Sequence, residues 1–207
     1  MKTQLLPSSQ PDAITRALEI LRAGGLVALP TDTVYGVGAL AFDGAAVESI
    51  YAAKNRPVEK AIPILIADAE DLDKVAVNVP DMARILASRF WPGPVTLVVP
   101  KLPTLPKAIS ATNTVAVRIP DHEAARALLR AAGPMAVTSA NISGQVSPVR
   151  AEEVMSQLNG RIPLVINGGE TPGGVPSTLV DCLGDEPIIL REGPISLEQI
   201  RAALKNS

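Results

Sequence analysis

Apolar positions along the chain follow two rhythms that keep replacing one another. Between residues 11 and 23, Ile14, Ala17, Leu18 and Leu21 recur at three- and four-residue spacing, and Gly24 follows as a stop, which predicts a helix. Residues 26–29 form a short continuous apolar run that reads as a buried strand. Asp43 stands ahead of Val47, Ile50 and Tyr51 as a cap, so a second helix is expected to end near Lys54. A strand over 62–66 and a helix over 81–90 follow, then Trp91-Pro92-Gly93-Pro94 breaks the pattern before a strand over 95–99.

The second half continues alike. A strand over 115–119 is stopped by Pro120, Asp121 is placed to cap a helix to Ala132, and Gly133 ends it. Strands are expected over 135–138 and 164–166, with a helix over 151–158 between them. A glycine-rich loop over 168–177 precedes two strands, 178–181 and 188–191, read as an antiparallel pair. Ser196 with Gln199 forms a capping box for a last helix. Alternating strands and helices predict an α/β fold, a mixed sheet flanked by helices. No repeat, linker or low-complexity tract divides the chain, which is read as one domain over 1–207.

The stretch 29–38, Leu-Pro-Thr-Asp-Thr-Val-Tyr-Gly-Val-Gly, organises the rest. Pro30 has no N–H and is expected to end the strand ladder. Two hydroxyls, a carboxylate and a phenol follow at once, and Gly36 and Gly38 are read as closing a turn that lets a backbone or a ligand approach. Polar groups just past the carboxyl end of a strand suit a ligand site in an open α/β sheet.

Composition narrows the classes. With 47% hydrophobic residues but five aromatic ones, the 207-residue chain can bury a large aliphatic core. A net charge of −2 exerts no global pull on nucleic acid, so an anion site must be local. Cys182 is the only cysteine; it forms no internal disulfide, suits a reducing compartment and reads as a small buried hydrophobe. One Cys and one His build no Cys/His zinc site. No apolar run approaches membrane-spanning length and the N-terminus has no apolar signal region, so a cytoplasmic protein is expected.

Familiar nucleotide motifs fail. Gly36-Val37-Gly38-Ala39-Leu40-Ala41 has dinucleotide-fingerprint spacing, but its strand ends too early and Lys54-Asn55-Arg56 stands where a ribose-binding acid belongs. Gly168 to Gly173 has P-loop spacing, yet Gly174-Val175 replaces the required Lys-Ser/Thr. His122, beside Asp121 at a helix start, reads as structural. Five cations do form a pattern: Lys54, Arg56 and Lys60 follow the second helix, while Arg118 and Arg191 end strands. Gathered at one edge, they would suit phosphate, with Ser139 and Asn141 adding neutral donors.

Six ordered stretches then carry a resemblance: Pro-Thr-Asp-Thr-Val-Tyr-Gly (30–36), Lys-Asn-Arg-Pro (54–57), Trp-Pro-Gly-Pro-Val-Thr-Leu (91–97), Val-Ala-Val-Arg-Ile-Pro (115–120), Ser-Ala-Asn-Ile-Ser-Gly (139–144) and Ser-Thr-Leu-Val-Asp (177–181). From about residue 10 to 195 the chain resembles the YrdC/TsaC family of L-threonylcarbamoyladenylate synthases. The resemblance implies a twisted mixed sheet with a cationic cleft at strand ends. It also implies ATP, L-threonine and bicarbonate as substrates and threonylcarbamoyl-AMP and pyrophosphate as products, with Mg²⁺ carried by ATP and no metal held by protein ligands. The product serves modification of the tRNA adenosine beside the anticodon, through a threonylcarbamoyl-transferase partner.

By motif position, Thr33, Arg118, Ser139 and Ser177 are implied to face threonine. Arg56, Lys60, Thr114, Asn141 and Arg191 are implied to face ATP, with the backbone near Val149. Lys54, in the same Lys-x-Arg element as Arg56, is implied to be catalytic with it. Three positions depart from the family pattern: Asp32 where Glu is more usual, Ala61 for a frequent proline and Val149 for a frequent threonine. Longer family members have a second C-terminal domain. Two rival readings fit the residues less well. A structured-RNA-binding module using the same cleft is opposed by a pI near 5.5 and the lack of a basic run, so at most weak tRNA binding is expected. The related carbamoyl-transfer domain of hydrogenase maturation proteins comes with Cys-rich zinc fingers, which one cysteine cannot supply.

Overall fold

The structure, a computed structural model, describes residues 2–205. Its strands are β1 (Gln4–Pro7), β2 (Val27–Leu29), β3 (Gly36–Leu40), β4 (Ile64–Leu65), β5 (Val95–Pro100), β6 (Thr114–Arg118), β7 (Met135–Ser139), β8 (Leu164–Asn167), β9 (Thr178–Asp181) and β10 (Ile188–Arg191). The helices are α1 (Ala13–Arg22), α2 (Gly44–Lys54), α3 (Asp81–Phe90), α4 (Glu123–Ala132), α5 (Ala151–Leu158) and α6 (Leu197–Lys205). Among the described residues one ten-stranded mixed sheet runs in the order β1-β8-β2-β3-β7-β4-β6-β5-β9-β10. The expected antiparallel pair of β9 and β10 closes one edge. No described helix is long and apolar enough to cross a membrane.

Local chemistry explains most boundaries. The Asp43 carboxylate accepts from the Ala46 amide at 3.0 Å and starts α2. Ser196 and Gln199 cap α6 reciprocally, at 3.3 and 2.9 Å. The start of α4 differs from the sequence reading: His122, not Asp121, is the cap, its Nδ1 accepting from the Ala125 amide at 3.4 Å. Asp121 is drawn elsewhere, its amide donating to Asp32 Oδ1 at 3.1 Å. The glycines of 36–38 also differ, because they lie inside β3 rather than in a turn. A β-carbon on Gly38 would come within 2.5 Å of the Ala136 carbonyl oxygen, so glycine is required by the close passage of β7. Strand β1 and a 3-10 turn over Ala69–Lys74 had no sequence expectation.

The two faces of the sheet are covered unequally. On one, α2, α3, α5 and α6 bring Val47, Ile50, Leu86, Val154 and Ile200 into a core with Val37, Leu97, Val117 and Val165. On the other, α1 and α4 pack Leu21, Leu128 and Leu129 onto Val27, Leu29, Met135, Val137 and Leu164. No residue of β5, β6, β9 or β10 joins this second core. There the alternate side chains that face away from the first core remain uncovered by helix, and they make the floor of a cleft.

Candidate functional site

The cleft has a volume of about 500 Å³, within the range of small-molecule sites. Period-two alternation builds its floor. In β5, Val95, Leu97 and Val99 point into the core, and Thr96 and Val98 into the cleft. In β6, Val115 and Val117 point inward, and Thr114, Ala116 and Arg118 into the cleft. Arg56 and Lys60 come from the loop after α2, Thr31 and Thr33 from the segment between β2 and β3, Ser139 from the end of β7, and Ser177 and Arg191 from β9 and β10 or their flanks. Of the expected residues, Thr33, Arg56, Lys60, Thr114, Arg118, Ser139, Ser177 and Arg191 therefore share one cleft.

Arg118 is the best-anchored group. It is 6% exposed, and its guanidinium donates from Nε to the Gly93 carbonyl at 3.0 Å and from Nη1 to Thr33 Oγ1 at 2.9 Å. Its Nη2 is ion-paired with Asp32. A guanidinium has five N–H groups. Three are thus committed, leaving one on each terminal nitrogen without a partner among the described residues. Burial lowers the Arg118 pKa, and Asp32 opposes that shift. Thr31 donates to the Val34 carbonyl at 2.7 Å, so Thr33 is the donor in the 3.0 Å contact between the two hydroxyls.

Arg191 donates from Nε and Nη2 to the Ser177 carbonyl at 3.1 and 2.9 Å. Its pKa is lowered by burial first, then by the charges of Arg118 and Arg56. Arg191 thus feels both other guanidinium groups in one space, and Glu59 is the one carboxylate lining it among the described residues. Arg56 braces its own loop, donating from Nε to the Lys60 carbonyl at 3.1 Å and from Nη2 to the Ala61 carbonyl at 2.8 Å. A ladder of hydroxyls, Ser110 to Thr112 at 2.9 Å and Thr112 to Thr114 at 2.7 Å, forms another wall. Sequence reasoning missed Thr96, Ser110 and Thr112, while Thr31 is one of the two hydroxyls it placed after the strand. The strand alternation around Thr96 was the available signal, since apolar residues flank it on both sides.

Lys54, Asn141 and Val149 do not line the cleft. Val149 has its amide on Glu153 at 2.7 Å and its carbonyl on the Thr171 amide at 2.9 Å. Asn141 donates to the Ile142 and Gln145 carbonyls at 2.8 and 2.9 Å, and its buried Oδ1 has no partner among the described residues. Lys54 is 1% exposed and donates to the carbonyls of Ser139 and Asn141, the latter at 2.5 Å. It braces the turn that presents Ser139 from behind.

Burial, and secondarily Arg56, push the Lys54 pKa down to about 7. The folded value lies below the unfolded one, so between about pH 7 and 10.5 the unfolded chain binds more protons and stability rises with pH. The wild type should gain on Lys54→Met by up to about 1.4 kcal/mol per pH unit through that window. Urea unfolding of both proteins at several pH values tests this; a gap that does not change with pH contradicts the assignment.

A family profile described as "Telomere recombination", Sua5/YciO/YrdC, matches residues 19–193. The chain is 43% identical over 205 residues to the threonylcarbamoyl-AMP synthase of Bacillus subtilis, covering 98% of this chain and 59% of that protein. It is 46% identical over 190 residues to the threonylcarbamoyl-AMP synthase of Pyrococcus abyssi, covering 91% of this chain and 56% of that one. The crystal structure of P. abyssi Sua5 complexed with L-threonine superposes with a TM-score of 0.93 at 42% identity, covering 98% of this chain and 61% of that chain. The chain thus spans rather more than half the length of these relatives. With a profile match across most of its length and relatives this similar, the chain belongs to the Sua5/YciO/YrdC family.

Proposed function

We propose that the chain is an L-threonylcarbamoyladenylate synthase. It joins L-threonine, bicarbonate and ATP to give threonylcarbamoyl-AMP, pyrophosphate and water. The observation that carries the reading is three guanidinium groups, with Arg191 repelled by the other two, held in a hydroxyl-lined cleft, an arrangement that suits an anion. The names of the two relatives and the threonine complex support the choice of anions.

In this reading the threonine amine condenses with bicarbonate to a carbamate and water. A carbamate oxygen then attacks the α-phosphorus of ATP. The new P–O bond forms as the bond to the β-phosphate breaks, and pyrophosphate leaves. The two spare N–H groups of Arg118 suit a carboxylate fork, with Thr33, Ser139 and Ser177 around it. Arg56, Lys60, Thr114 and Arg191 face the triphosphate, where charge builds on phosphoryl oxygens. Lys54 supports the threonine half from behind, through the carbonyls of the turn that presents Ser139. A single lining carboxylate and no metal-ligand cluster among the described residues fit an Mg²⁺ that arrives on the phosphates and neutralises their charge.

The setting is the cytoplasm, where ATP and tRNA meet. With a net charge of −2, transfer to tRNA falls to a threonylcarbamoyl-transferase partner, and tRNA binding by this chain alone is weak. The test is product analysis with Mg-ATP while threonine and bicarbonate are omitted in turn. Pyrophosphate and threonylcarbamoyl-AMP should appear only with both present. Pyrophosphate release that ignores threonine would overturn the proposal.

A further inference from the structure

Thr96, at the second position of β5, is 2% exposed, and its hydroxyl lies 2.7 Å from that of Ser177. Among the described residues it meets no other hydrogen-bond partner. Ser177 Oγ also accepts from Arg191 Nη2 at 3.1 Å. A serine hydroxyl has two acceptor lone pairs and one proton. Arg191 takes one lone pair. If Ser177 donated to Thr96, the Thr96 proton would be left in a buried place without an acceptor. If Thr96 donates, both Ser177 lone pairs are filled and the Ser177 proton is the group left to give. An anion in the cleft favours the second arrangement, because both hydroxyl dipoles then point the same way and each bond strengthens the next.

We infer that Thr96 is a positioning residue that aims the Ser177 O–H at an anionic oxygen of the amino-acid substrate. The inference rests on the reading of the cleft as an amino-acid and ATP site. Arg191 keeps its two bonds to the Ser177 carbonyl whatever Thr96 does, so the nucleotide side is held mainly by backbone.

The experiment is calorimetric titration of the full chain with L-threonine and with Mg-ATP. Thr96→Val keeps the shape and removes the hydroxyl; it should weaken threonine roughly 3- to 10-fold and leave ATP affinity unchanged. Thr96→Ser should restore threonine affinity. In a Ser177→Ala background, Thr96→Val should add nothing, because its effect passes through Ser177. If the valine variant misfolds, Thr96→Ala also lacks the hydroxyl and must be equally silent in that background. Equal losses in both backgrounds, or no loss in either, overturn the role of Thr96. Failure of the wild type itself to bind threonine overturns instead the functional reading on which the role depends.

Discussion

On the proposed reading, Arg118→Ala should lose threonine binding by about a hundredfold or more, because the two charge-assisted contacts proposed to the substrate carboxylate disappear together. It should also lose about 3–5 kcal/mol of stability, since the Asp32 carboxylate, 11% exposed, would keep its burial without its partner. The two losses have different origins and can be separated. In Arg118→Ala/Asp32→Ala no charge is stranded, so much of the stability should return while threonine affinity does not. Arg118→Lys keeps a charge for Asp32 but not the planar fork, and should recover part of the stability and little of the threonine affinity. Urea unfolding and calorimetric titration of the three variants decide the matter. A single variant as stable as the wild type would mean that the buried ion pair is not formed. A double variant that binds threonine normally would mean that the guanidinium is not the contact.

Gly193→Ala is expected to be nearly as damaging, from outside the cleft. A β-carbon there would lie 2.3 Å from the Thr178 nitrogen, 2.6 Å from the Ser177 carbonyl carbon and 2.8 Å from the Pro176 oxygen. All three are backbone atoms, so no side chain can swing away. Overpacking of this kind costs about 1–3 kcal/mol or more. On the proposed reading the larger effect falls on catalysis. The strand end that carries Arg191 must separate from Ser177, and a misplacement near 1 Å can cost about a hundredfold in rate. Gly184→Ala is the control: its β-carbon would meet nothing within 4 Å. That change should be neutral or add about 0.4–1 kcal/mol through the unfolded state. Melting temperatures and initial rates of pyrophosphate release compare the two. Equal behaviour of both variants would remove the steric argument.

What was legible in the sequence depended on how local its cause was. Helices α2 and α6 announced themselves because their caps, Asp43 and Ser196 with Gln199, act within three residues. The cap of α4 was misread by one position because Asp32, 89 residues away, claims the Asp121 amide. Strand β3 was misread because its glycines answer to β7, which lies a hundred residues on. Strand β1 is four residues long, mostly exposed and ends in Pro7, so it has no apolar rhythm to detect. In the site, the cations were legible as charges near element ends, and their convergence depended on strand order. That Lys54 braces the wall from behind while Arg56 lines the cleft has no counterpart in the Lys-x-Arg spacing, which treats them alike.

The strand order also sets a timetable for any chain made from its N-terminus. Strand β7 slots between β3 and β4, and β8 slots between β1 and β2. Until residues 135–139 exist, two central strands keep open edges, and until 164–167 exist, β1 has no neighbour at all. The floor of the cleft waits longer still, because β9 pairs with β5 only once 178–181 have been made. Thr33, which emerges early, meets Arg118 within a sheet whose closing strands come last. The nascent polypeptide therefore carries unpaired β-edges through most of its synthesis, a window in which a chaperone or a shielding ribosome surface has something to protect.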